Sequence, residues 1–149
     1  MRWIFRFPIV LYRLHLGLIL GERFLMLTHT GRKSGKRRHA IVEVVDHDEV
    51  TDTFHIVSGW GEKSDWFQNI QKNPETEVDV GNRHFATLAK RLSMDEAENH
   101  METYARKHPF AFRQLSGIML GEHLDPTADN LRKLAEKIPM VALPFNRIS

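Results

Sequence analysis

The stretch FLMLTHTGRKSGKRRHAIVEVVD, residues 24–46, decides how the middle of this chain folds. Its first seven residues predict a strand, while GRKSGK, residues 31–36, has the glycines of a turn. RHAIVEVVD, residues 38–46, alternates and is rich in β-branched residues, which predicts the returning strand. Five cations and no acid occupy seven residues of this turn region: Arg32, Lys33, Lys36, Arg37 and Arg38.

Further β signals follow along the chain. TFHIVSG, residues 53–59, predicts a strand. TEVDVGNRHFATLAKRL, residues 76–92, predicts a hairpin around Gly81-Asn82, with the turn type left open by the Gly-Asn order. MVALPF, residues 140–145, predicts a last strand that closes the fold.

Helical signals flank these strands. SDWFQNIQKN, residues 64–73, predicts a short helix with Ser64 as its N-cap. Ser93 and Glu96 form the S-x-x-E capping box, which predicts a helix that begins there and ends near Lys107.

Two more helices are predicted over residues 109–120 and 127–137, the second capped and opened by Asp125-Pro126. This arrangement predicts an α+β fold, in which a small antiparallel barrel or sheet carries helices on its outside. The chain is expected to form one domain, residues 1–149. Its expected parts are an N-terminal amphipathic helix at 1–22, a barrel core at 23–92, a helical region at 93–138 and a closing strand at 139–146.

Charge and composition narrow the classes of function. The chain has 21 Lys+Arg against 19 Asp+Glu, a net charge of +2, and without the five cations of the turn the balance is −3. A nucleic-acid-binding face gains affinity from many phosphate contacts, so this local excess favours a small polyanionic ligand and no nucleic acid. The absence of cysteine excludes disulfides and thiolate chemistry and suits a reducing cytoplasm. The nine histidines show no compact ligand spacing, so no metal site is predicted.

Residues 2–20 predict an amphipathic helix with Arg2, Arg6 and Arg13 along one side. These charges and Pro8 argue against a transmembrane span, and no small-residue cleavage site indicates a signal peptide. The apolar body of the helix is expected either to pack over the barrel or in a homodimer, or to lie on a membrane surface. The expected location is the cytoplasm, at the inner face of the cell membrane in the second case.

Two motifs have the chemistry of a ligand site. Gly31 and Gly35 allow an anion to approach the backbone, and Ser34 and the cations offer hydrogen bonds, although a solvated hairpin tip has the same composition. The loop VSGWG, residues 57–61, combines small residues with one indole, which suits a planar heterocycle. No serine has a partner base at motif level, so hydrolytic chemistry finds no support.

Three segments together resemble the deazaflavin-dependent nitroreductase family, whose members are oxidoreductases that use coenzyme F420. They are LTHTGRKSGKRRHAIVEVV (residues 27–45), VSGWGEKSDWFQNIQKNPETEVDVGNRHFATLAKRL (residues 57–92) and IPMVALPF (residues 138–145). The T-x-G-R-[KR]-S-G and S-D-W-[FY]-x-N-[IL] blocks are the specific parts. The resemblance implies a split antiparallel β-barrel of the FMN-binding type, with flanking helices.

The resemblance also implies a cofactor site. In the family, the basic turn and the next strand bind the phosphate and tail, the loop after the third strand lies along the ring, and the following helix completes the pocket. The residues at these positions are Arg32, Lys33, Ser34, Arg37, Arg38, His39, Ala40, Ile41, Val57, Ser58, Gly59, Trp60, Asp65, Trp66, Phe67, Gln68 and Asn69. F420 joins a phosphodiester and an oligoglutamate tail to a flat ring, which suits a basic turn beside a glycine-flanked indole. Ser58 is the candidate proton donor.

The expected activity is hydride transfer from reduced F420 to an electron-poor small molecule, such as a quinone, an enone or a nitro compound. Two alternatives stay open: an FMN-binding split-barrel oxidoreductase, and a non-catalytic carrier of F420 or of a lipid-like ligand. The best-known nitroreductases carry several tyrosines near the C-terminus, where this chain has Tyr104 but also Phe110 and Phe112. Reduction of a nitroimidazole or of one particular quinone is therefore not assumed.

Overall fold

A computed structural model describes residues 24–58, 61–121, 124–125 and 127–145. The predicted N-terminal helix, residues 1–22, lies outside the described residues. Within them, no helix is both long and apolar enough to cross a membrane.

The strands of the described residues form one antiparallel sheet, in the order β5-β4-β1-β2-β3-β7-β6. They are β1 (Phe24–Thr30), β2 (Arg37–Asp48), β3 (Thr53–Val57), β4 (Glu75–Val80), β5 (Arg83–Leu88), β6 (Lys90–Arg91) and β7 (Met140–Pro144). The predicted hairpin at residues 24–46 is confirmed, because β1 and β2 pair from Phe24↔Glu43 to Thr30↔Arg37.

The sheet curls until its two edges meet. β5 and β6 lie at opposite ends of the strand order, yet only Ala89 separates them in the chain. At this crossing the Ala89 amide donates to the carbonyl of Pro74 at 2.8 Å, and the Thr87 hydroxyl donates to the carbonyl of Pro144. The fold is therefore an α+β split barrel, as predicted.

Four α-helices occur in the described part of the chain: α1 (Asp65–Lys72), α2 (Met94–Lys107), α3 (Pro109–Leu120) and α4 (Ala128–Lys137). The capping box of α2 is confirmed, because Ser93 Oγ accepts from the Glu96 amide at 3.2 Å and Glu96 Oε1 accepts from the Ser93 amide at 3.1 Å. The predicted cap of α4 was wrong. Thr127, and not Asp125, caps that helix, since its hydroxyl accepts from the Asn130 amide at 3.3 Å.

The β4–β5 hairpin turns at Gly81-Asn82, as predicted, and pairs Val80 with Arg83. Gly81 has a φ of +58°, whereas Asn82 is not among the residues with positive φ. A positive φ at the first central residue alone is the pattern of a type II′ turn, which favours glycine at that position.

Two groups of buried side chains lie on opposite faces of the sheet. Successive residues of a strand point to opposite faces, and β3 shows this directly. Phe54 and Ile56 join the barrel interior with Leu25. Val57 packs instead with the side chains of the helices, including Met101 of α2. Helices α2, α3 and α4 therefore form a helical layer that covers the outer face of the barrel, and β3 is buried on both faces.

Candidate cofactor-binding site

The basic turn is anchored on α1. Asn69 Oδ1 accepts two hydrogen bonds from Arg32, one from the main-chain amide at 3.0 Å and one from the guanidinium at 2.8 Å. Lys72 Nζ donates to the Arg32 carbonyl at 3.1 Å. Asn69 is only 2% exposed, so its amide is held in place by packing. The two motif blocks that carry the family resemblance, 37 residues apart between Arg32 and Asn69, are therefore adjacent in space.

The five cations of the turn fall into two groups. Arg32 pairs with the Asp65 carboxylate at 3.4 Å, and Arg37 forms an ion pair with Glu77 of β4. The second group is exposed and forms no ion pair with any other described residue. Its members are Lys33, Lys36 and Arg38. Positive charge at the turn is thus partly neutralised, and these three side chains remain to attract an anion.

The backbone of the turn is closed by its own hydrogen bonds. The Gly31 amide donates to the Lys36 carbonyl at 2.8 Å, and the Gly35 amide donates to the Gly31 carbonyl at 2.9 Å. The Lys36 amide donates to Ser34 Oγ at 3.2 Å. Gly35 has a φ of +70°, a region that favours glycine. These three amides are engaged within the turn, so the exposed cationic side chains are its main groups for anion binding.

A buried histidine supports the anchor and was missed by the sequence reasoning. Asn69 Nδ2 lies 3.0 Å from His29 Nδ1. Since Asn69 Oδ1 already accepts from Arg32, its amide group donates here, and His29 Nδ1 is the unprotonated nitrogen. Burial, followed by the charges of His39 and Arg38, lowers the pKa of His29 to about 4. His29 is therefore neutral near pH 7 and acts as an acceptor. Its only sequence signal is weak, because it is the middle one of three consecutive polar residues at the end of β1.

The start of β2 continues the site away from the turn. His39, Ala40 and Ile41 are half-buried along this strand. The Nδ1 atom of His39 lies 3.0 Å from the hydroxyl of Thr28 on β1, which fixes the imidazole against the neighbouring strand. These predicted residues thus extend in one line from the exposed cations toward the body of the barrel.

An open groove of about 360 Å³ lies between the turn and α1. Its lining residues are Arg32, Glu62, Phe67, Gln68, Gln71 and Arg91. Arg91 forms an ion pair with Glu62 at 2.8 Å and lies 5.3 Å from the centroid of the Phe67 ring. Arg32, Phe67 and Gln68 were predicted, whereas Glu62, Gln71 and Arg91 were not. No local pattern marks the last of these, because it comes from the other side of the barrel crossing.

The aromatic residues of α1 have a different environment from the cations. Trp66 is 8% exposed and Phe67 is 2% exposed, and both belong to the packed barrel interior. Their large apolar side chains therefore hold α1 on the barrel. Their predicted contact with a cofactor stays a prediction.

Ser58 is fully buried and already hydrogen-bonded. Its hydroxyl donates to the Gly61 carbonyl at 2.5 Å and lies 2.6 Å from Ser64 Oγ, which must then be the donor of that second bond. Ser64 is the N-cap residue of α1, as predicted, but its hydroxyl engages Ser58 and makes no capping hydrogen bond. The pair pins both ends of the loop that carries Gly59 and Trp60, which lie outside the described residues. The geometry assigns Ser58 a positioning role, and its role as proton donor stays a prediction.

Comparisons with known proteins agree with this architecture. A family model described as F420H(2)-dependent quinone reductase matches residues 13–116. Among solved structures, an F420-H2 dependent reductase (FDR-A) has a TM-score of 0.56 at 19% identity, over 83% of this chain and 95% of its own. A pyridoxamine 5′-phosphate oxidase-related, FMN-binding protein from Nostoc punctiforme has a TM-score of 0.58 at 15% identity, over 92% and 78% of the two chains.

A further solved structure, described as a domain-swapped dimer, has a TM-score of 0.56 at 20% identity, over 91% of this chain and 98% of its own. At these identities the structural likenesses establish the split-barrel fold alone. A search of curated proteins finds no match.

Proposed function

The chain belongs to the family of F420H2-dependent quinone reductases and is an F420-dependent reductase, and we propose that its acceptor is a quinone and that the basic turn and α1 hold the cofactor. The observation that supports this placement is the group of three exposed cations, Lys33, Lys36 and Arg38, beside a turn that is anchored on a buried asparagine. The family match confirms the predicted F420 dependence. The acceptor and the site residues are part of the proposal.

The residues present fit a polyanionic cofactor. F420 carries a phosphodiester and several carboxylates, and a cation with no acidic partner is free to form charge-assisted hydrogen bonds with such groups. Asp65 and Glu77 orient Arg32 and Arg37 through ion pairs, so these two guanidinium groups are held in one geometry before a ligand arrives. Preorganisation of this kind lowers the entropic cost of binding.

The reaction depends on the orientation of the cofactor and the acceptor and on the exclusion of water, and it requires no protein nucleophile. When bound, F420H2 supplies the hydride, and the protein orients the ring and the acceptor. Asn69 holds Arg32 and His29 on the turn side, while the Ser58–Ser64 pair fixes the loop on the other side. These contacts set the distance between the part of the site that binds charge and the part that receives the ring.

Two measurements on the purified protein test the proposal. Oxidation of F420H2 is followed with matched quinone, enone and nitro acceptors, and the quinone is expected to give the highest kcat/KM. Titrations with F420 and FMN are expected to give tighter binding of F420, because it carries more negative charge toward the turn. A higher kcat/KM for another acceptor class would overturn the quinone assignment. Unchanged affinity after alanine replacement of the three exposed cations would overturn the site.

The proposal also includes contact between residues 2–20 and a membrane surface. A basic amphipathic segment suits an anionic surface, and quinones partition into lipid. Co-sedimentation with phosphatidylglycerol vesicles is expected for the full chain at low salt but not for a variant that lacks residues 2–20. Phosphatidylcholine vesicles serve as the neutral control. A full chain that stays in the supernatant would assign the segment to the fold or to a subunit interface.

A homodimer and a cytoplasmic location complete the proposal. A similar solved structure is described as a domain-swapped dimer, which supports a test of the oligomeric state. Sedimentation velocity across a concentration series is expected to show a dimer. A single monomeric species throughout would contradict it.

A further inference from the structure

Three metal-ligand side chains meet between the sheet and α2, on the opposite face of β3 from the barrel interior. Asp46 of β2 is paired with His55 of β3 in the sheet, and His100 lies on α2. One ligand atom from each of these three residues lies within 4.8 Å of the others. We propose that Asp46, His55 and His100 bind a divalent transition-metal ion, with Zn²⁺ as the best match to the donor set.

The strongest sign of a missing partner is the buried imidazole. The side chain of His55 is 6% exposed, and its Nδ1 atom has no hydrogen-bond partner within the described residues. That atom is 3.4 Å from Asp46 Oδ2 but does not form a hydrogen bond with it. Buried polar atoms are normally satisfied, and an orphaned one requires an explanation. A cation between the ring nitrogen and the carboxylate would satisfy both.

The distances suit a shared metal ion. His100 Nδ1 lies 3.0 Å from the same Asp46 oxygen, and His55 Nδ1 lies 3.4 Å from it. In a tetrahedral zinc site with bonds of about 2.0–2.1 Å, neighbouring ligand atoms are about 3.3 Å apart. Two imidazoles and one carboxylate form a common zinc donor set, and water takes the fourth position. The exposed part of His100, 27% of its side chain, provides an entry path.

The charges around the three side chains agree with a cation. The two imidazole rings lie only 3.9 Å apart between centroids, which disfavours protonation of both. Asp48 and Glu96 also interact electrostatically with these histidines and add negative potential. Two imidazoles that bind as neutral ligands and one carboxylate would together place one negative charge against a dication.

The consequence of the site is structural. A metal ion bound there would join α2 to the β2–β3 hairpin, since its ligands come from all three elements. Binding to the folded chain alone stabilises that chain by mass action. The helical layer would then be fastened to the barrel independently of any cofactor at the basic turn.

The same chain offers an internal control that also combines histidine with carboxylates. His84 contacts Glu77 at 3.1 Å and Asp79 at 2.7 Å, but through two different ring nitrogens. Its imidazole therefore bridges two carboxylates and does not converge with them on one point. It is also 58% exposed. The Asp46, His55 and His100 side chains therefore have the arrangement of a metal-ligand set, whereas His84 forms ordinary surface ion pairs.

The experiment uses the full chain after treatment with a chelator. Titration with Co²⁺ is expected to give visible d–d absorbance of a low-symmetry site at one equivalent, and Zn²⁺ is expected to displace it. Zn²⁺ at about 100 times its Kd is expected to raise the melting temperature. His100→Ala, at a half-buried position, is expected to weaken Zn²⁺ binding at least tenfold, whereas His84→Gln is expected to leave it unchanged.

Asp46→Asn provides a second variant of nearly the same shape, in case His100→Ala unfolds by circular dichroism. No binding of Zn²⁺ at about 1 mM, or equal affinity in the wild type and a folded ligand variant, would overturn the metal site. F420 binding is measured on the same metal-free sample. Its loss or retention reports on the basic turn, so failure of the metal proposal and failure of the proposed function are distinguishable.

Discussion

The two turns at the ends of β2 use charge in opposite ways. The turn before β2, residues 31–36, leaves Lys33 and Lys36 exposed and without an ion pair to any described residue. In the turn after β2, Asp48 Oδ1 accepts from the Val50 amide at 3.0 Å, and Asp52 pairs with Arg83 of β5 at 2.6 Å. The charges of the first turn are available to bind a ligand, whereas the charges of the second turn form contacts that stabilise the fold.

The surroundings of Arg83 explain the difference. Its guanidinium lies 5.5, 5.6 and 4.5 Å from the ring centroids of Phe54, Phe85 and Phe145, so it is held by aromatic faces as well as by the Asp52 carboxylate. The first turn has no such aromatic setting in the contacts of the described residues. A cluster of like charge in a sequence therefore indicates a ligand site only when the fold leaves it unpaired.

Removal of the unpaired cations is expected to have the largest effect. The triple variant Lys33→Ala/Lys36→Ala/Arg38→Ala removes three partly exposed contacts of about 1 kcal/mol each, which together correspond to about a 100-fold loss of F420 affinity. Its melting temperature is expected to stay close to that of the wild type, because the three side chains are exposed. Fluorescence titration with F420 and a thermal scan measure both. The matched control replaces Lys90, Lys107 and Lys137, which are exposed elsewhere, and a comparable loss in that control would show a nonspecific charge effect.

Removal of the anchor beneath the first turn is expected to affect binding and stability together. Asn69→Ala leaves Arg32 and the buried His29 without their shared partner, at a cost of about 1–3 kcal/mol to the free energy of unfolding. F420 affinity is expected to fall about tenfold, because the turn loses its fixed position. Urea unfolding and F420 titration measure the two effects. Asn99→Ala, at an exposed position of α2, is the control, and a wild-type affinity in folded Asn69→Ala protein would contradict the anchoring role.

Neutralisation of the second turn is expected to reduce stability without changing F420 affinity. Hydrogen bonds from Arg83 and His47 lower the pKa of Asp52 to about 2 from its usual 3.8. Because the folded pKa is the lower one, the stabilisation is fully present above about pH 4 and is lost as pH falls through about 2. A third of the Asp52 side chain is exposed, so the contribution is about 1–2 kcal/mol after solvent screening.

Asp52→Asn is therefore expected to lower the free energy of unfolding by about 1–2 kcal/mol near pH 7, with a smaller difference from the wild type near pH 2. Urea unfolding at several pH values measures this. Glu49→Gln, in the same turn, is the control. A difference that grows toward low pH would contradict the assigned ion pair.

An increase in salt concentration is expected to have the smallest effect, and it should change F420 affinity at the first turn more than stability at the second. An increase from about 0.1 M to about 1 M NaCl shortens the Debye length from about 10 to about 3 Å, so F420 affinity is expected to fall about three- to tenfold. The Asp52–Arg83 pair is shielded by aromatic rings, and the melting temperature is expected to change little. F420 titrations and thermal scans in the same buffers test this. Salt-independent affinity would indicate that uncharged contacts dominate binding.

The sequence by itself determined the features whose partners are close in the chain. The β1–β2 hairpin, the Gly81 turn and the Ser93–Glu96 capping box were all predicted, because each depends on hydrogen bonds between near neighbours. The motif blocks also predicted membership of an F420-dependent family, and the family match confirms that prediction. Even local rules had limits, since the hydroxyl of Ser64 bonds to Ser58 and does not cap α1.

Only the tertiary structure decided which charged and polar groups remain available. Strand order and helix packing bring Glu77 of β4 to Arg37 of β2, 40 residues away, and place Asn69 of α1 under the basic turn. The same packing joins Asp46 to His100, 54 residues away, although the spacing of the histidines predicted no metal site. These pairings depend on strand register and on the position of α2 over the sheet, which no local pattern encodes. Local chemistry supplied the cations of the turn, and the fold determined which of them were left for a ligand.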